Sequence, residues 1–524
     1  MKKRFLLIAV TALLLTLCFA MPVAAGGGDD VYWGDTAVTD GYYTISESGV
    51  LNPGSSSSYN FHYDEDKNVI TFSDMGIVYL KKSIGLDIMK DMIIEVVGFN
   101  CIDLEGEFGS TYLCGIRCDG DLDFVGGEGN ELFVEVDPDS PENIHTCIGV
   151  RATGDITINA DVLPYAGEAM HSFYSTESYG FYCDGGNFVL EEGYVQPIAD
   201  VADTSIAIYA TSDGEYGGNI TVNGGIINGD SRGSGYMITA EDTFLLSDGI
   251  LNLCGYDGAV YAKNDVRFVD GDATIVSEVG DYAVYTANGK IYVDGGALDI
   301  SAKKQALYCA NAKPVLAKGL HFFTGKSEKD LKAATAYKGE PYFFVTPFKD
   351  LKASWYIPSV AWAVSRGITY GTSPDTFSPD KPCTRAEIVC FLYRLEGSPE
   401  MSGKCPFKDV QKGIWYEDAV KWAVEEGITA GTDAAQTLFS PNRTCTRAEA
   451  ACFIYRACGS PEVGNVSNPF VDIGNGGEYY SDAVMFLYKY NITAGTDATH
   501  FSPNKTCTRA EIVCFLNRFY KNVN

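Results

Sequence analysis

Phe439-Ser440-Pro441 is followed, three residues later, by Cys445-Thr446-Arg447-Ala448-Glu449, and this chain spells the same pair of motifs three times. The other copies are Phe377-Ser378-Pro379 with Cys383-Thr384-Arg385-Ala386-Glu387, and Phe501-Ser502-Pro503 with Cys507-Thr508-Arg509-Ala510-Glu511. Thr-x-x-Glu ahead of an apolar run is a capping box: the hydroxyl accepts from the backbone N–H three residues on, and the glutamate accepts from that of the threonine. Each copy therefore predicts a helix beginning just after its threonine. The cysteine ahead of it occupies the place of a hydrophobic staple, with Ile388, Ala450 and Ile512 as fourth-position partners.

Upstream of each box the order is also kept. Phe348-Lys349-Asp350, Phe407-Lys408-Asp409 and Phe470-Val471-Asp472 come first, the aspartates 59 and 63 residues apart. Trp355-Tyr356, Trp415-Tyr416 and Tyr479-Tyr480 follow, then Gly371-Thr372, Gly431-Thr432 and Gly495-Thr496. Residues 415–426 have helical periodicity, with Val420, Ala423 and Val424 on one face. Each copy reads as helix, tight glycine-containing loop, capped helix.

Three tandem copies with this order resemble the S-layer homology (SLH) domain. The modules would span 346–404, 405–467 and 468–524. The resemblance implies a mainly α, three-armed bundle whose grooves bind secondary cell-wall polysaccharide, a pyruvylated one above all, at a bacterial cell surface. A sugar acid needs aromatic platforms, hydrogen-bonding groups and a fixed cation. The candidate binding residues are Asp350, Trp355, Gly371, Thr372 and Arg385 in the first copy; Asp409, Trp415, Gly431, Thr432 and Arg447 in the second; and Asp472, Tyr479, Gly495, Thr496 and Arg509 in the third. An arginine in a first helical turn works against the helix dipole, so a bidentate fork for a carboxylate explains it better than folding does. The competing role is a salt bridge with Asp350, Asp409 or Asp472. Trp362 and Trp422, mid-helix, read as core, and the glycine–threonine pairs are equally well explained as turns. The third copy departs from the others, with Tyr479 for tryptophan and Asn491 for glycine; the first has Pro358 where the second has Asp418. Equal binding by all three grooves does not follow.

Residues 26–345 have a different period. A small residue, an apolar one and an aromatic or apolar one recur as Ala207-Ile208-Tyr209, Gly235-Tyr236-Met237, Ala259-Val260-Tyr261, Ala283-Val284-Tyr285 and Ala306-Leu307-Tyr308, with steps of 24, 24 and 23 residues from Gly235 onward. Looser copies lie near Gly115-Ile116, Gly149-Val150 and Gly180-Phe181. Between them an Asn-Gly or Asp-Gly corner recurs at Gly224, Gly249, Gly271 and Gly295. A unit this short cannot bury its own inner face, whereas stacked units can. The expected fold is a mainly β solenoid, a right-handed parallel β-helix, in preference to a stack of β-sandwiches.

Lys2-Lys3-Arg4, an apolar run over 5–20 and small residues at Val23-Ala24-Ala25 read as a secretory signal over 1–25. No later stretch reaches the ~20 apolar residues of a membrane span, so no membrane span is expected after cleavage. A net charge of −30 argues against nucleic acid. Sixteen cysteines in an exported chain permit disulfides. Cys383/Cys390, Cys445/Cys452 and Cys507/Cys514 stand seven residues apart, however, and ~10 Å of helix rise exceeds the usual disulfide span. They read as buried thiols. No cofactor or metal is expected: the five histidines are scattered, and Cys114 and Cys118 lack the second pair that a zinc site needs.

The reading is a wall-anchored surface protein with an adhesive, glycan-binding or spacer ectodomain, whose partner could be an extracellular glycan or a host surface. The rival is a polysaccharide lyase or glycoside hydrolase, for which Asp248, Asp270 and Asp294 could form an acidic ladder, and Asp270/Asp272 or Asp294/Asp299 a carboxylate pair. Asp248, Asp270 and Asp294 each precede a corner glycine, which a turn alone explains, and no catalytic residue is assigned.

Overall fold

The computed structural model describes residues 31–523 apart from 106–111, 128, 137–145, 167–174, 200–201, 215, 232, 328–329, 353–354 and 475–476. The expected leader, with Cys18, lies outside the described residues. The N-terminal region is mainly β. Successive strands visit three sheets in turn: Leu122–Gly126, then Glu131–Val136, then Thr146–Ala152, then Ile156–Asn159 in the sheet of the first. Each strand pairs in parallel with its counterpart one repeat earlier and one repeat later.

The register explains the sequence pattern. Ile208, Ile238, Val260, Val284 and Leu307 are Cα partners along the sheet that holds Thr146–Ala152 and are essentially fully buried. Each such side chain contributes roughly 1.5–3 kcal/mol of burial, but only because a rung stands above and below it. Gly115, Gly149 and Gly180 fall into the same ladder as Ala207, so the looser copies belong to the stack. A Cβ at Gly115 would lie 2.2 Å from Val134 Cγ1 and 2.8 Å from Gly149 O, which excludes any larger residue there without movement.

Two details of the repeat differ from expectation. Ala259-Val260-Tyr261 aligns with Met237-Ile238-Thr239, not with Gly235-Tyr236-Met237. Tyr236 instead pairs with Gly258, and its ring lies over that residue. The small position tolerates Met237 because it faces Gly229, where a Cβ would come within 1.8 Å of Met237 Cε. The corner glycines that take the left-handed conformation are Gly225, Gly249, Gly271 and Gly296, so the tight turn falls one residue after Gly224 and Gly295. Asp248 and Asp270 each accept the N–H of the following glycine, the turn role.

Antiparallel pairs close both ends. Gly41–Ile45, Leu51–Pro53, Phe61–Asp64 and Val69–Ser73 precede the parallel stack, and Phe322–Gly325, Lys332–Ala334 and Tyr342–Val345 follow it. They cover rungs that would otherwise present open apolar ends.

The C-terminal region holds six helices among the described residues: α1 Ile357–Ser365, α2 Arg385–Leu395, α3 Glu417–Glu425, α4 Arg447–Ala457, α5 Ser481–Lys489 and α6 Arg509–Val523. Capping boxes start α2 and α4 as expected, and the same reciprocal bonds between Thr508 and Glu511 start α6. The first helix of each copy packs against the second helix of the copy before it, and α1 closes the circle on α6. At the centre the chain makes a three-membered ring of backbone bonds: Cys383 N–H to Cys507 O, Cys445 N–H to Cys383 O, and Cys507 N–H to Cys445 O, at 2.8–2.9 Å. The two regions share a core, because Ala297, Phe323 and Phe344 of the sheets pack with the helices. Ser365 of α1 bonds Thr274 across the same seam at 2.8 Å. None of the described helices is long and apolar enough to cross a membrane.

Candidate functional site

The candidate arginine of each copy does not meet the other candidates of its own copy; it reaches into the next copy. Arg385, on α2, donates from Nε to Phe439 O of the second copy at 2.9 Å, from Nη1 to Glu449 at 3.2 Å and from Nη2 to the Thr429 hydroxyl at 3.4 Å. Arg447 reaches Phe501 O and Glu511 of the third copy, and Arg509 reaches Phe377 O and Glu387 of the first. The salt-bridge partner is the capping glutamate of the neighbouring copy. It is not Asp350, Asp409 or Asp472, because the ring closure carries each arginine away from its own aspartate.

Each guanidinium is buried between two phenylalanine rings at 4.9–5.3 Å: Phe439 and Phe453 about Arg385, Phe501 and Phe515 about Arg447, Phe377 and Phe391 about Arg509. Only 4%, 2% and 2% of the three arginines is exposed. Burial pulls the Arg385 pKa down, against the pull of Glu449. Nη2 of Arg509 is buried without a hydrogen-bond partner.

The aspartates are spent on the loops. Asp350 accepts from the N–H groups of Phe377 and Ser378, Asp409 from Phe439 and Ser440, and Asp472 from Phe501 and Ser502, all at 2.7–2.9 Å. Ser378, Ser440 and Ser502 have φ of 57–60°, a conformation rare for a non-glycine residue, and the two adjacent N–H groups held by one carboxylate offset its cost. The same clamp aims each phenylalanine carbonyl at the arginine. Gly371, Gly431 and Gly495 also have positive φ and pack on Phe348, Phe407 and Phe470, so they build the turn. The hydroxyls of Thr372, Thr432 and Thr496 bond Ser378, Ser440 and Ser502 at 2.7 Å and stay exposed.

The aromatic residues ahead of the first helices lie at the surface. Trp355, Trp415 and Tyr479 are 52%, 60% and 67% exposed, whereas Trp362 and Trp422 are core. Trp355 O accepts from the Cys514 thiol on α6, and Tyr479 O from Cys452 on α4. Trp355 therefore stands beside α6 and Tyr479 beside α4, and α3, which follows Trp415, packs on α2. Asn491 takes the left-handed φ of 54° that Gly367 and Gly427 have in the other copies. The paired cysteines are buried free thiols, and burial raises the pKa of each.

Sequence reasoning missed a second cation in each site. Lys381, Arg443 and Lys505 pair with Glu387, Glu449 and Glu511, the glutamates already held by Arg509, Arg385 and Arg447. Their signal was a basic residue two places before the cysteine in every copy.

The S-layer homology domain family matches residues 347–389, 406–451 and 469–513. The chain is 30% identical over 213 residues to the Surface-layer 125 kDa protein of Lysinibacillus sphaericus, covering 40% of this chain and 17% of that protein. It is 30% identical over 184 residues to an endoglucanase of Bacillus sp. (strain KSM-635), covering 34% and 19%, and 29% identical over 175 residues to an S-layer protein of Bacillus thuringiensis subsp. finitimus, covering 32% and 21%. The chain thus spans about a fifth of the length of these relatives, and the similarity falls on the C-terminal copies. Such domains anchor proteins to the cell wall, which places the chain at the cell surface. The C-terminal third of this chain is a tandem of three S-layer homology domains.

Proposed function

We propose that the three domains, over 346–404, 405–467 and 468–524, hold this exported chain on a pyruvylated secondary cell-wall polysaccharide. Each binding groove is composite: an exposed ring and a threonine hydroxyl from one domain, and an exposed cation, Lys381, Arg443 or Lys505, from the domain before it. The observation that carries this reading is the pair of cations on each capping glutamate. One is buried and structural. The other, Lys381, Arg443 or Lys505, is 46–55% exposed and free to turn to a ligand carboxylate. These cations stand out on a chain of net charge −30. Calorimetric titration of the full chain with a wall-polysaccharide fragment tests it, before and after mild acid removal of the pyruvyl ketal. Binding lost with the ketal, and weakened by Lys381→Ala plus Arg443→Ala, is expected; equal binding without the ketal overturns the reading.

Residues 26–345 are read as a right-handed parallel β-helix serving as an adhesive, glycan-binding or spacing ectodomain. The strand order supports this, since parallel crossovers in one sheet are right-handed in about 98% of cases. The alternative, a wall-anchored polysaccharide lyase or hydrolase, draws support from Asp272. Burial, with Asp270 and Asp248 nearby, pushes its carboxyl up to about 7, a value suited to acid–base work. New reducing ends or unsaturated products from acidic and neutral polysaccharides, absent with Asp272→Asn, would decide for the enzyme.

A further inference from the structure

The glycine–threonine loops of the three domains share a backbone but not a charge. Lys349 donates its N–H to Asp375 O, Lys408 to Thr437 O and Val471 to Thr499 O. Thr372, Thr432 and Thr496 donate theirs to the carbonyls of Thr376, Leu438 and His500, each at 2.7 Å. His500 therefore stands where the other copies have Thr376 and Leu438, and Val471 where they have Lys349 and Lys408.

The first and third loops thereby differ in the cation that faces the loop carboxylate. In the first copy Lys349 pairs with Asp375 at 3.2 Å. In the third, Val471 is 75% exposed and uncharged, and Asp497 pairs with Nδ1 of His500 at 3.0 Å. Among the described residues His500 is the one charged partner of Asp497. The Thr499 hydroxyl lies 3.1 Å from the same ring nitrogen and helps to hold it. The His500 carbonyl also accepts from the Thr496 hydroxyl, which ties the ring to a candidate binding group.

A lysine keeps its charge, whereas imidazole ordinarily changes charge between pH 5 and 8. Asp497 stays ionised over that range, because the Thr499 N–H and then the His500 ring hold its carboxyl down at about 2. Asp472, on the lead-in that carries Val471, is spent on the N–H groups of Phe501 and Ser502. The guanidinium of Arg443, the cation of this groove, keeps its proton throughout. His500 is the only histidine between 346 and 524. The third loop thus sheds one negative charge as pH falls, while the Lys349–Asp375 pair of the first stays neutral.

We propose that His500 makes the groove of Tyr479 and Thr496 the pH-responsive one of the three: its protonation cancels Asp497 and tightens the hold on an anionic wall polymer. With the ring neutral, Asp497 opposes the ligand carboxylate. The inference rests on reading the C-terminal domains as binding an acidic polysaccharide.

Calorimetric titration of the full chain with a pyruvylated wall-polysaccharide fragment tests it, at about pH 5.5 and about pH 8 and one ionic strength. A Trp355→Ala plus Trp415→Ala background leaves the Tyr479 groove to be read. Affinity there is expected to be roughly threefold to tenfold tighter at the lower pH, the effect of one charge on a partly screened surface. His500→Leu, which takes the residue of the second copy, should flatten the profile at the weaker level. Val471→Lys, at an exposed position, should flatten it at the tighter level by giving Asp497 a permanent cation. A profile that His500→Leu leaves intact overturns the assignment. A flat profile in the background, or no binding there although the parent binds, overturns the inference and leaves wall anchoring standing. No binding by the parent at either pH overturns the anchoring reading and this inference with it.

Discussion

Arg509 donates to Glu387 at 3.0 Å across 122 residues of chain, and this pair closes a ring that Arg385–Glu449 and Arg447–Glu511 began. The residue that starts α6 thereby braces the capping box of α2.

Arg509→Ala should lower the stability of the C-terminal region by about 3–5 kcal/mol, the usual cost of leaving the partner of a buried pair unmatched. Arg509→Lys should recover only part of this, since an ammonium cannot make the two directed bonds to Phe377 O and Glu387 or fill the slot between Phe377 and Phe391. Urea unfolding followed by tryptophan fluorescence measures both, because four of the five tryptophans lie in this region.

Acid should loosen the same ring. Burial raises the Glu387 pKa, but the Thr384 N–H, Arg509 and Lys381 lower it further, and the net shift is below the ordinary 4.5. The unfolded chain then binds the proton more readily than the folded one, so this contribution is present above pH 4.5 and is lost as pH falls through the lower folded value. Melting temperature of the parent should drop in that window. Glu387→Gln should start lower and drop less.

The two tryptophans of the second domain should separate binding from folding. Trp415→Ala should leave the unfolding midpoint within experimental error and weaken wall-polysaccharide binding tenfold or more. Trp422→Ala, at a buried position, should cost about 3–5 kcal/mol of stability. Equal stability losses for both would remove Trp415 as a platform.

In the N-terminal region, Gly115→Ala should destabilise by about 1–3 kcal/mol, since the added carbon meets Val134 and the carbonyl of Gly149. Gly76→Ala meets no neighbouring atom and should show only the smaller cost of its positive φ. Calorimetric melting distinguishes the two.

The domain triad was legible because local chemistry repeats there: a capping box needs threonine and glutamate at fixed spacing, and three copies make chance agreement negligible. What connects the copies was not legible. Glu387 and Arg509 are far apart in sequence, and the aspartates looked like ligand or salt-bridge groups because nothing local shows that Ser378, Ser440 and Ser502 adopt left-handed backbone and need a clamp. In the N-terminal region, inward residues every rung gave the parallel stack, but Met237 hid its repeat because its partner in space, Gly229, lies eight residues earlier. The antiparallel closures at 31–73 and 322–345 left no repeat to read.

The most direct test of wall anchoring is co-sedimentation of the full chain with purified sacculi before and after chemical stripping of the secondary polysaccharide. Binding that vanishes on stripping, and weakens when Lys381, Arg443 and Lys505 are replaced by alanine without loss of fold, is the expected result. Equal binding to stripped sacculi, or none to intact ones, would contradict it.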